Sequence, residues 1–152
     1  SNLRQGEISV QTGKYVSNLR VQIHQYEQNE LAMRYNKAVA EYNQAVVFFN
    51  RFIAFKNRQF KPAKTDSALL VMVNKPIDQM HAASGRLNEI EGADSALQKA
   101  IQVLQHKIDV LSKRQQSELD FVNRYLLQNN AGRQAMFLVK TIRRVPAKRS
   151  TH

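Results

Sequence analysis

Asparagine recurs at positions 29, 36, 43, 50 and 57, five times at a spacing of seven, within a stretch free of proline and glycine. A sevenfold repeat holds a residue on one side of a helix that packs against other helices. An aromatic residue precedes three of these asparagines, in Tyr35-Asn36, Tyr42-Asn43 and Phe49-Asn50. Adding four to each aromatic gives Val39, Val46 and Ile53, which completes the 4-3 alternation of a buried seam. The asparagines then run along one edge of that seam, with Ala38, Ala45 and Phe52 along the other.

The same pattern continues along the chain. Residues 15–57 read as one long helix, more fully buried toward its end, where Val46 to Phe55 is apolar on over half the circumference. Residues 1–14, with Gly6 and Gly13, read as a loose lead-in. Pro62 marks a stop. Asp66 suits the N-cap of a short helix through Val73, and Pro76 either kinks that helix or opens the next. Ile77, Met80, Ser84, Leu87 and Ile90 then share a face up to Gly92.

Asp94-Ser95-Ala96-Leu97 repeats the cap chemistry before the last long helix. There Leu97, Ile101, Leu104, Ile108, Leu111, Gln115, Leu119, Val122 and Leu126 form a heptad seam with one four-residue insertion at Gln115. A short basic amphipathic segment and a polar tail occupy residues 130–152. The expected fold is all-α: an antiparallel bundle of three long helices with short accessory helices and coiled-coil-like packing, over residues 15–129. Five glycines and three prolines in 152 residues leave little material for the turns of an all-β fold.

Charge is unevenly placed. Of the net +11, residues 31–65 supply seven basic groups against the single Glu41, and residues 131–152 supply six with no acid. If the helices run up, down and up, the ends of the first and third share a pole. Arg51, Lys56, Arg58, Lys61 and Lys64 then lie near Arg143, Arg144, Lys148 and Arg149 as a candidate patch for an anionic surface. Beside a solvated positive surface of no special role, two partners suit such a patch. One is anionic lipid and the other, which we rank second, is nucleic acid held through its phosphates. No tryptophan, zinc motif or recognition helix after a tight turn points to a sequence-reading DNA binder.

For Asn36, Asn43 and Asn50 three readings stand: a solvated flank of the seam, a register-setting ladder of buried amides, or a ligand-binding stripe. Tyr35 and Tyr42 read as core aromatics with wet hydroxyls. No catalytic constellation emerges. The chain has no cysteine, no glycine-rich phosphate loop and no nucleophile elbow. His24, His81, His106 and His152 are isolated from one another, and the Glu-x-x-His pair of di-iron bundles is missing. We therefore expect no cofactor and no metal, and a structural or interaction role, with self-association through the long seam as one form of it. No apolar run is long enough to span a bilayer. The opening Ser1-Asn2 lacks an initiator methionine, as expected of a piece cut from a longer chain.

The run from Arg34 to Val46, with Phe49-Asn50 and Phe52 to Lys56, resembles the Tyr-Asn-rich helix of the LemA family over some thirty residues. The family usually has proline after the phenylalanine, where this chain has Asn50, and carries the motif late in the chain. Phe48 to Asp66 is also faintly similar to tails on multi-pass bacterial membrane proteins of the rhomboid type, although no protease segment is present. Both resemblances imply a membrane-attached bacterial parent protein, with this segment outside the bilayer.

Overall fold

The computed structural model describes residues 2–58 and 66–129, with side chains over 5–58 and 69–125. Three helices account for nearly all of them: α1 (Asn2–Arg58), α2 (Asp66–Asn88) and α3 (Ser95–Asn129). The fold is all-α, with no strand among the described residues.

Two pairs of contacts fix the directions. Along α1 from Glu41 to Phe48, the α2 partners descend from Arg86 to Lys75, so α2 runs antiparallel to α1. Gln28 touches Asp94 at one end of α3, and Lys56 touches Glu118 further along it. α3 therefore runs parallel to α1, giving the up-down-up order.

The α1–α2 interface is the more extensive one. On α1 its buried line is Ala38, Ala45, Phe49 and Phe52, flanked by half-buried Leu31, Tyr35 and Tyr42. This is the heptad 31-35-38-42-45-49-52. It shares its aromatic positions with the expected seam, but Ala38, Ala45 and Phe52 replace Val39, Val46 and Ile53, which are only half-buried. The physical reason is size. Alanine lets the α2 backbone approach closely, so α1 rolls toward its small residues and leaves the β-branched ones at the margin.

On α2 the matching line is Leu69, Val73, Pro76, Met80, Ala83, Leu87 and Ile90, again at alternating spacings of four and three, with Ile77 beside it. Here a second expectation is corrected: α2 runs unbroken through Pro76, so the short helix ending at Val73 and the helix after it are one element. The proline ring is itself fully buried in the seam, where its apolar surface offsets part of the missing N–H.

α3 follows its expected seam closely. Leu104, Ile108, Leu111, Gln115, Leu119 and Val122 are buried, with Leu97 and Ile101 half-buried. Asp94 caps the helix as expected: its carboxylate accepts from the Leu97 amide at 2.9 Å, and its carbonyl accepts from Gln98 at 2.9 Å. Gly92 takes the left-handed conformation (φ 75°) in the turn after α2, which glycine adopts without a Cβ penalty.

The largest departure is at the start. α1 is helical from Asn2, through Gly6 and Gly13, where a loose lead-in was expected over residues 1–14. Every side chain from 5 to 27 is exposed. The packed bundle begins at Gln28, whose amide donates to Gly92 O at 2.9 Å and accepts from the Asp94 amide at 2.8 Å. Below that point α1 projects alone.

Candidate interaction surfaces

Glu41, the one acid within residues 31–65, accepts from Arg86 Nε at 2.6 Å and bridges α1 to α2. Among the described residues no group of three histidine, aspartate or glutamate side chains stands close enough to hold a metal ion. An open notch of about 380 Å³ lies where Tyr26, Gln28, Glu30 and Arg34 of α1 meet Glu91 and Gly92 of the turn. His24 and His106 are exposed and His81 is half-buried, each on a different helix.

Three features can meet a partner. The first is the end of the bundle toward which α1 and α3 both run, where Lys56 near the end of α1 meets Glu118 of α3. Arg51 and Arg58 are exposed there. Arg51 sits 5.8 Å from the Phe48 ring, which Lys75 also approaches at 5.4 Å. Lys56 does not fit the expected role of a free surface cation. Its ammonium pairs with Glu118 at 2.5 Å and lies 4.8 Å from the Phe121 ring, so it fastens α3 to α1. Arg114 stacks on Phe49 at 4.9 Å and does the same one turn back. Lys61, Lys64, Arg143, Arg144, Lys148 and Arg149 lie outside the described residues.

The second feature is the asparagine ladder. Asn36, Asn43 and Asn50 are exposed, as are Asn29 and Asn57. Within one chain they form no buried amide network, so the register-setting reading fails for the bundle itself. The roll of α1 toward its alanines is the cause, because it carries the ladder further from α2.

The third feature is one that the sequence reading missed. Stepping back three residues from the asparagines gives Tyr26, Met33, Ala40, Val47 and Ala54, and Leu19 extends the line by one heptad. All six are exposed, with Tyr26 at 67% and Met33 at 59%. The apolar column and the asparagine ladder alternate at spacings of three and four from Tyr26 to Asn57, a second heptad seam, with Gln22 in the ladder's place between Leu19 and Tyr26. At 100° per residue, Met33 lies about 200° around the helix from Leu31, so the two seams occupy opposite faces of α1. The signal was present as a sevenfold repeat of apolar residues, overshadowed by the aromatic column that shares its period.

No helix of the described residues is long and apolar enough to cross a membrane. Compared with models of known protein families, with curated proteins and with solved structures, the chain matches none.

Proposed function

We propose that this domain is a non-catalytic helical scaffold, the water-exposed part of a membrane-attached bacterial protein, whose basic pole faces an anionic surface. The observation that supports the reading is the parallel course of α1 and α3. Lys56, near the end of α1, pairs with Glu118 in the last third of α3, so both helices run toward the same end of the bundle. The basic residues 131–152 follow α3 in sequence. The resemblance of residues 34–56 to the Tyr-Asn-rich helix of the LemA family supports the same setting.

The attraction is electrostatic, about 1 kcal/mol for each basic residue near an anionic bilayer, and it fades within a Debye length. Since Lys56 is held by Glu118, the contribution comes from Arg51, Arg58 and the basic residues beyond α1 and α3. Sedimentation with lipid vesicles tests this. Binding to vesicles containing anionic lipid, absent with neutral lipid and lost on changing Arg143 and Arg144 to alanine, is expected. Indifference to anionic lipid at physiological ionic strength would overturn the reading. Duplex binding whose logarithm falls steeply with the logarithm of salt would replace it with a nucleic-acid role.

A further inference from the structure

We infer that the outer seam of α1 is the dimer interface of this protein, pairing two copies side by side, parallel and in register. The inference rests on the interaction-module reading above and names its partner as a second copy of the chain.

Three observations converge on that occupant. The outer seam has the period of a helix-packing surface over some thirty residues, yet among the described residues no helix covers it. Spacings that alternate between three and four match the groove of another helix. The bundle lies against the opposite face, so a second copy can approach without displacing α2 or α3.

The chemistry of the ladder then selects the partner. A carboxamide is both donor and acceptor, so asparagine is complementary to itself. In a parallel, in-register pair every asparagine of the ladder meets its own counterpart in the same layer. An antiparallel pair would instead set asparagines against the apolar column and leave the amides unpaired. A single buried asparagine at an a position fixes register and strand number in coiled coils, and the same carboxamide pairing is repeated here once per heptad in the d column.

The start of α1 supplies an independent reason. Residues 5–25 are exposed along their whole length, with no helix of the described residues against them, and contain Gly6 and Gly13, while an isolated helix in water is marginal even in alanine-rich sequences. Leu19 and Tyr26 carry the outer seam into this segment, so pairing gives it the tertiary support that α2 and α3 do not. Parallel pairing also brings two basic poles to one end of the assembly, doubling the charge turned toward an anionic surface.

The test is the solution mass of the full chain across a concentration series, by sedimentation equilibrium. A mass approaching twice that of the monomer is expected. Introducing Tyr26→Glu, Met33→Glu and Val47→Glu together should return it to the monomer mass with the helical circular dichroism of the bundle retained, since all three side chains are exposed. A monomer at every concentration would overturn the inference, and so would a dimer untouched by the three glutamates. Orientation is read by cross-linking, which the absence of native cysteine keeps clean. Asn36→Cys and Asn50→Cys, made singly, should each form an interchain disulfide under mild oxidation. An antiparallel pair can place at most one of these positions opposite itself, so cross-linking at one alone would overturn the parallel arrangement. Vesicle binding, measured separately on the dimer, keeps failure of the pairing distinct from failure of the anionic-surface reading.

Discussion

Two heptad seams run along α1, one facing in and one facing out, and they are made of different residues. The inner one places Ala38, Ala45 and Phe52 at zero exposure against α2. The outer one leaves Tyr26, Met33 and Val47 in contact with water between asparagines. Both have the period that helix packing requires, so period alone does not decide which face the bundle buries. Side-chain volume and polarity decide it. A column of small residues with phenylalanine lets two backbones close on each other, whereas asparagine in every second layer would strand amides against an apolar partner.

The largest test of that contrast is truncation on each face. Phe52→Ala removes a fully buried ring and should cost about 3–5 kcal/mol, lowering the melting temperature by roughly 10 °C. Val47→Ala, five residues earlier on the outer face, should change the dilute chain by less than about 0.5 kcal/mol. Thermal unfolding by circular dichroism measures both. Comparable losses on the two faces would mean that the inner seam is not where α1 gains its stability.

Enlargement gives the next effect in size. Ala45→Leu adds three carbons at a fully buried position of the core and should cost about 1–3 kcal/mol through overpacking. Ala40→Leu makes the same chemical change on the exposed face, improves helix packing surface for a second copy, and should leave the dilute chain unperturbed. Equal destabilisation by the two leucines would remove the size argument for how α1 is rolled.

The roll also explains what the sequence disclosed and what it withheld. On α3 the apolar line from Leu104 to Val122, including the four-residue step at Gln115, was readable residue by residue because the competing apolar column, Ala96, Val103 and Val110, gives way to Ser117 and does not run the length of the helix. On α1 three columns compete: alanine with phenylalanine, the β-branched residues, and the aromatics shared between them. Choosing among them needs the shape of α2, which α1's own pattern does not contain. Pro76 was ambiguous for a related reason, since a buried proline ring can hold its place in a helix that the missing N–H would otherwise interrupt. At the basic pole the charge excess was legible, but the withdrawal of Lys56 into a pair with Glu118 was not, because it joins residues sixty-two positions apart. The free-standing start of α1 was hidden by Gly6 and Gly13, which suggested a loop.

The smallest effect compares amides rather than apolar groups. Gln115 is 3% exposed in the α3 seam, and among the described residues neither its oxygen nor its nitrogen finds a hydrogen-bond partner. It is the buried counterpart of the exposed asparagines on α1's outer face. Replacing it with methionine keeps the unbranched shape and removes the unmet polar atoms, so Gln115→Met should stabilise the chain by about 1 kcal/mol. Asn43→Leu, made in the dilute chain where the outer face is wet, removes an amide that water already serves and should move stability by less than about 0.5 kcal/mol. Urea unfolding curves of the two variants, taken at low protein concentration, separate these outcomes. A destabilised Gln115→Met would mean that the amide is served by partners beyond the α3 seam, and the contrast between a costly buried amide and a neutral exposed one would be lost.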